Sequence, residues 1–190
     1  MSEILPNLMF FIRIVLLISF SLSFITKVRD IALFDRAIVN FRLLPQMLNW
    51  VFSRIFLFSE LAIVVCLVLG GNLLLIGFSL SIILLSIFSV ALMSVLARNL
   101  HISCNCFGAS ENRVSIYDVW RNIGLIVFAS LGWGTLTLAN NHYVTPTLLE
   151  GILSGLVAVV FSSIWTHLGD IIHVFRTNSG EHQYGNHSTD

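Results

Sequence analysis

Residues 73–97, LLLIGFSLSIILLSIFSVALMSVLA, form an uninterrupted apolar run without an acidic or basic side chain. A helix needs about 20 mostly apolar residues to cross the hydrocarbon core of a bilayer, so this run predicts a membrane-spanning helix. The sequence Gly70-Gly71-Asn72 just before it predicts a tight turn, and a second apolar run at about 50–69 precedes that turn. The region therefore predicts two consecutive spans joined by a turn.

The whole chain has the composition of a membrane protein. Of its 190 residues, 56% are hydrophobic and 11% are charged, whereas a soluble domain carries roughly 25% charged residues. The net charge is zero, so the sequence offers no basic surface for nucleic acid. Further apolar runs lie at about 7–26, 116–138 and 147–168. We predict an all-α, multi-pass bundle of about five membrane-spanning helices, forming one domain over residues 1–170 within a lipid bilayer.

Two segments differ from these spans. Residues 27–49 carry several charges, yet apolar side chains recur there at helical spacing, which predicts an amphipathic helix in the membrane interface. The recurring positions are Ile31, Phe34, Ile38, Phe41 and Leu44. The final segment, 171–190, is polar, and we predict that it forms a flexible tail.

The basic residues predict an orientation. With five spans, the 27–49 segment, the 98–115 loop and the tail lie on one face of the membrane. Every Lys and Arg except Arg13 falls on or near that face, namely Lys27, Arg29, Arg36, Arg42, Arg54, Arg98, Arg113, Arg121 and Arg176. Because cytoplasmic loops carry an excess of Lys and Arg, this distribution favours the cytoplasm for the 98–115 loop.

The 98–115 loop contains the most reactive side chains, in the stretch His101-Ile102-Ser103-Cys104-Asn105-Cys106-Phe107-Gly108. In an extended backbone, Cα atoms two residues apart are separated by about 6–7 Å, at the edge of the usual disulfide range. A Cys104–Cys106 bridge would close a small, strained ring, and strained disulfides are the easily reduced, catalytic or regulatory kind. Asn105 and Gly108 tolerate the positive φ of a bend. His101 and nearby arginines would stabilise the reactive thiolate.

We therefore take Cys104 and Cys106 as candidate catalytic residues, while two other interpretations stay open. Both cysteines can be ordinary loop thiols. Alternatively, His101, Cys104 and Cys106 bind a metal, although a tetrahedral structural site needs a fourth ligand. Cys66 or a histidine of the tail would have to supply that ligand.

Charged residues inside the apolar runs form a second candidate site. Arg13 lies within the first run and Glu60 near the middle of the second. An ionisable side chain in the hydrocarbon region costs at least about 2.5–3.5 kcal/mol on insertion scales, so a function is the default hypothesis. Their depths differ by only about 4–5 Å, which predicts an Arg13–Glu60 ion pair that is either structural or part of a proton or quinone site. Asp118 and Arg121 are spaced to pair with each other.

The cysteine motif resembles that of a known family. Cys104-Asn105-Cys106-Phe107-Gly108, followed by Arg121-Asn122, resembles the C-G-C-F-G signature of the methylamine-utilisation MauE family, one of the DoxX-like redox-associated membrane proteins. Lys27, Leu43-Leu44-Pro45 and Glu60 are further matches, and the resemblance covers about residues 8–140. Asn105 replaces the glycine usual in the family, and the fifth span extends beyond the family's four-helix core.

The resemblance implies thiol–disulfide handling in the bacterial plasma membrane during maturation of an exported protein. In methylamine utilisation the client is the disulfide-rich subunit of methylamine dehydrogenase, and a thioredoxin-like protein acts alongside. A membrane quinone is a candidate electron acceptor, but no residue pattern requires a cofactor. Whether the chain is itself a thiol–disulfide oxidoreductase stays open. The alternative is a non-enzymatic scaffold or transport component with structural or metal-bound cysteines.

Overall fold

The computed structural model describes residues 4–40, 46–98, 116–138 and 148–181, and within these ranges the chain is helical without strands. The six helices are α1 (Ile4–Arg29), α2 (Ile31–Asn40), α3 (Gln46–Leu69), α4 (Leu73–Ala97), α5 (Ile116–Leu138) and α6 (Leu148–Glu181). The predicted all-α membrane bundle is confirmed. Helix α6 continues past residue 171, where the polar tail was predicted to begin, and residues 182–190 lie outside the described ranges.

Among the described residues, four helical segments are long and apolar enough to cross a membrane: Pro6–Arg29, Leu48–Leu69, Leu73–Ala97 and Leu148–Trp165. The prediction was about five. Helix α5 has 23 residues, which at about 1.5 Å per residue is long enough to cross. Its first turns are more polar, however, because they contain Asp118, Arg121 and Asn122. Composition alone therefore identifies four spans, with α5 packed among them.

Contacts between neighbouring helices fix their directions. Arg13 near the start of α1 contacts Leu67 at the end of α3, while Ser23 farther along α1 meets Glu60, so the two helices are antiparallel. Helices α4 and α5 pack side by side, and α6 packs on α1 and α5. We call the end of the bundle where α4 ends and α5 begins the loop end. The opposite end, where α1 begins and α3 turns into α4, is the turn end.

The turn between α3 and α4 occurs where it was predicted. Gly70 and Gly71 have φ values of +74° and +59°, a left-handed conformation that side chains with a Cβ rarely adopt. Successive backbone hydrogen bonds from Leu73 N to Gly70 O and from Leu74 N to Gly71 O start α4 immediately after the turn.

The structure divides the segment predicted as one amphipathic helix. Residues 27–29 belong to α1, α2 covers Ile31–Asn40 and α3 begins at Gln46, whereas residues 41–45, with the predicted positions Phe41 and Leu44, lie outside the described ranges. The Asp30 carboxylate accepts a hydrogen bond from Leu33 N at 3.1 Å and so caps the start of α2. Phe34 and Ile38, two of the predicted apolar positions, are buried. Helix α2 therefore covers the loop end of α1 and α3.

Replacing Gly132 with alanine is expected to destabilise the bundle by about 1–3 kcal/mol, because the site is already filled. A Cβ there would lie 2.9 Å from Cε1 and Cζ of Phe78 and 3.1 Å from Cγ2 of Ile12, both fully buried. Gly134→Ala is the matched control, since its Cβ would meet nothing within 4 Å. Thermal unfolding in detergent measures both variants, and equal melting temperatures would contradict this packing.

Candidate functional site inside the bundle

A buried ion pair between Lys27 and Glu60 forms the centre of the site. Lys27 Nζ donates hydrogen bonds to Glu60 Oε1 and, at 2.8 Å, to Ser23 Oγ. Ser23 Oγ in turn donates to Glu60 Oε1 at 2.9 Å. Each charged residue is only 2% exposed. The three side chains thus form a closed triangle of charge-assisted hydrogen bonds inside the bundle.

The helical repeat of α1 positions this triangle. Ser19, Ser23 and Lys27 are each four residues apart, so they lie on one face of α1. Side chains on a helix tilt toward its N-terminus. The Lys27 side chain therefore runs back from the loop end into the bundle, where it meets Glu60 of α3.

Three phenylalanines surround the Lys27 ammonium group. The rings of Phe34, Phe56 and Phe88, from α2, α3 and α4, have centroids 5.3, 4.7 and 5.7 Å from Lys27 Nζ. Phe56 stands between the other two rings, with centroids 5.9 Å from Phe34 and 5.6 Å from Phe88. Aromatic faces within about 6 Å attract a cation. These rings therefore offset part of the cost of burying the ammonium group.

The predicted Arg13–Glu60 ion pair is wrong. Arg13 instead donates from Nε to Leu67 O at 2.6 Å and from NH2 to Val68 O at 2.9 Å. These carbonyls end α3, where helix termini favour basic groups. The prediction of this pair failed because the estimated depths of Arg13 and Glu60 in the membrane compared only their backbone positions. Since α1 and α3 are antiparallel, the N-terminal tilt of side chains points Arg13 toward the turn end and Glu60 toward the loop end.

A small cavity adjoins the ion pair. It holds about 20 Å³, room for one water-sized molecule rather than a quinone ring, so the quinone interpretation gains no support here. Its lining comes from α1, α3, α4 and α5 and includes Ser19, Glu60 and Asn122. Within the described part of the chain, three of its lining residues have buried polar atoms without a hydrogen-bond partner: Ser19 Oγ, Glu60 Oε2 and both polar atoms of the Asn122 amide. The cavity therefore collects unsatisfied polar groups in a membrane-embedded core.

The structure brings Lys27, Glu60 and Asn122 together and leaves Arg13 apart. The residue before Asn122, Arg121, pairs with Asp118 at 3.4 Å, which confirms that predicted pair. Sequence reasoning missed Ser19 and Ser23, although their spacing of four from Lys27 within an apolar run was a detectable signal. The phenylalanine rings come from three separate helices and had no local signal.

A family comparison explains why these residues matched a known pattern. The model of the family described as Methylamine utilisation protein MauE matches residues 5–135. The chain belongs to the MauE family. The match covers α1 to most of α5 and leaves α6 outside it. Neither a curated protein nor a solved structure matches the chain. Membership makes this a bacterial membrane protein of methylamine utilisation.

The residues of the MauE cysteine motif lie outside the described part of the structure: His101, Cys104, Asn105, Cys106, Phe107 and Gly108. Their segment joins Arg98, just after α4, to Ile116, the first residue of α5, both at the loop end. Cys66 lies in the last turns of α3, near the turn end. Within the described ranges, no group of three or more His, Cys, Asp or Glu side chains is arranged to hold a metal.

Proposed function

We propose that this MauE protein carries out thiol–disulfide exchange during maturation of an exported protein, with Cys104 and Cys106 as the exchanging thiols. The observation that carries the proposal is a Cys-x-Cys pair within the 5–135 family match, on the segment that joins α4 to α5. Membership of a methylamine-utilisation family supports the disulfide-rich subunit of methylamine dehydrogenase as the client. Neighbouring residues of the motif support the pair. Asn105 and Gly108 permit the bend of the backbone, His101 stabilises the thiolate, and Phe107 belongs to the same motif.

The exchange balances without a bound cofactor. One cysteine thiolate attacks a disulfide of the partner protein, forming a mixed disulfide and releasing a partner thiolate. The second cysteine then attacks the mixed disulfide, which yields the Cys104–Cys106 disulfide and a fully reduced partner. Two electrons have passed to the partner, and the reverse sequence with a thioredoxin-like dithiol restores the reduced pair. In this role the chain is a thiol–disulfide oxidoreductase.

The proposal places the protein in the bacterial inner membrane with its loop end in the cytoplasm. Three of the basic residues used for orientation have structural partners: Lys27 pairs with Glu60, Arg54 with Asp35 and Arg121 with Asp118. The remaining basic residues near the loop end still outnumber Arg13. A pair on the cytoplasmic face exchanges with a partner on that face, and that partner supplies reducing equivalents toward the oxidising compartment, where disulfides persist.

Thiol labelling in intact cells tests the pair and its sidedness together. In a Cys66→Ser background, a membrane-impermeant maleimide should label Cys104 and Cys106 only after permeabilisation. Part of that labelling should require prior reduction, because part of the cycling pair is oxidised. Of the single variants Cys104→Ser and Cys106→Ser, the one that lacks the attacking cysteine should lose the dependence on reduction, whereas the other should keep its remaining cysteine in a mixed disulfide. If labelling is complete without reduction in every growth phase, the result would favour the scaffold or metal-bound alternative. If the reagent labels the cysteines in intact cells, the loop end faces the outside rather than the cytoplasm.

A further inference from the structure

The buried faces of α1 and α3 are apolar toward the turn end and more polar toward the loop end, whereas α4 stays mostly apolar, with Phe88, Leu92 and Val95 buried toward the loop end. Along α1, the buried residues are first apolar and then mostly polar: Met9, Ile12, Val15 and Leu16 precede Ser19, Ser23 and Lys27. Along α3 the order is reversed, with Asn49, Ser53 and Glu60 before Ile63 and Leu67. Because the two helices are antiparallel, both polar stretches lie toward the loop end. Asn122 near the start of α5 lies on the same side.

Buried polar groups toward the loop end require a partner. Among the described residues, Glu60 Oε2, Ser19 Oγ and the Asn122 amide border one cavity without hydrogen bonds, and Asn49 Oδ1 farther toward the loop end is also unsatisfied. A buried polar group without a partner costs several kcal/mol in a membrane, where lipid offers no hydrogen bonds. The cavity has the volume for a water molecule. Several converging polar atoms are also what a buried water molecule needs.

The charges of the site favour a neutral occupant. Lys27 and Glu60 neutralise each other, so a metal cation or an anion in the cavity would add a charge without a counter-charge. Helix α4 contributes only Leu84, Leu85 and Phe88 to the lining. Among the described residues, further charges on α3 and α5 occur in two pairs, Arg121 with Asp118 on α5 and Arg54 with Asp35 across α3 and α2. Neutral water is the occupant that fits, and a proton that arrives on water is accepted by Glu60 Oε2 rather than held in the cavity as a cation.

We propose that Glu60 is the proton-binding residue of a hydrated site that protons enter from the loop end. Glu60 Oε2 takes a proton from a hydronium ion and leaves a water molecule between Ser19 and Asn122. Toward the turn end the path is closed by fully buried apolar side chains: Ile12, Leu16, Ile63, Leu67, Leu74 and Phe78. Lys27 and Ser23 hold the other carboxylate oxygen, so Glu60 stays in place as it gains and loses the proton.

Carbodiimide labelling of the full-length chain tests this site. Dicyclohexylcarbodiimide enters membranes and adds to protonated carboxylic acids, and peptide mass spectrometry locates the adduct. Sealed vesicles of both orientations allow the pH to be set on each side separately, with a tag at the N-terminus, next to the turn end, reporting the orientation. We expect labelling of Glu60 to rise as the pH on the loop-end side falls, whatever the pH on the other side. Absence of an adduct at every pH, or labelling that follows the turn-end pH, would overturn the proposal.

Two buried-residue variants test the coupling of the cavity to Glu60. Asn122→Leu removes an amide that stabilises the ionised carboxylate through water, so Glu60 should label on the order of tenfold faster at a given pH. Ser81→Ala is the control, because Ser81 is equally buried but bonds to Gly77 O and lies outside the cavity. Equal rates for the two variants would contradict a shared water site. A Cys104→Ser/Cys106→Ser variant should label like the native chain, so this proposal and the proposed function fail separately.

Discussion

Lys27→Met is expected to lower the free energy of unfolding by about 3–5 kcal/mol, because it leaves the Glu60 carboxylate buried without its counter-charge. The substitution also removes the attraction of the ammonium group to three phenylalanine rings. Methionine keeps most of the length and the apolar stem of lysine, so the loss comes mainly from removing the ammonium group rather than from a large cavity. Reversible unfolding in mixed micelles gives the free energy.

A double variant and a second ion pair serve as controls for this expectation. Lys27→Met/Glu60→Leu should recover most of the loss, since apolar replacement of both partners of a buried pair is often neutral or stabilising. Arg54→Met removes a pair with Asp35 whose side chains are 30% and 29% exposed, and should cost no more than about 1 kcal/mol. If the double variant is as unstable as Lys27→Met, the loss does not come from an uncompensated Glu60 carboxylate.

The sequence predicts the bundle well because lipid imposes a simple rule on composition and length. The runs that became α1, α3, α4 and α6 are apolar on nearly every face, as membrane-spanning segments are. Helix α5 shows where the rule weakens. Its polar residues Arg121 and Asn122 are shielded by other helices rather than exposed to lipid. The average composition of α5 therefore does not identify it as a membrane-spanning helix. The composition of a helix indicates whether it crosses the membrane only when most of its surface faces lipid.

Only some members of the candidate site were predicted. Glu60 was selected as a charged residue within an apolar run, and Lys27 and Asn122 as matches to the family, but the serines were missed and the partner of Glu60 was chosen as Arg13 rather than Lys27. Partner choice depends on the tilt of side chains along antiparallel helices and on how far one helix is shifted along another. Neither the tilt nor the shift of one helix along another can be derived from a single stretch of sequence. The phenylalanine rings around Lys27 depend on the same relative placement of helices.

Replacing both Cys104 and Cys106 with serine is expected to reduce methylamine-dependent growth to the level of a strain that lacks the gene. Serine preserves the size and polarity of each side chain but cannot form a disulfide, so exchange with a partner stops completely. Cys66→Ser is the matched control, because Cys66 forms no disulfide within the described residues and packs near Gly77 inside the bundle. It should leave growth unchanged.

The single variants should separate the attacking thiol from the resolving one. When the resolving cysteine is replaced by serine, the attacking cysteine remains joined to its partner, and a larger species appears on a non-reducing gel. Replacing the attacking cysteine gives no such species. Reduction should release the partner for identification by mass spectrometry. Normal growth of the double variant, with the protein present at its usual level, would instead assign the maturation role to the helical bundle and its buried Lys27–Glu60 site.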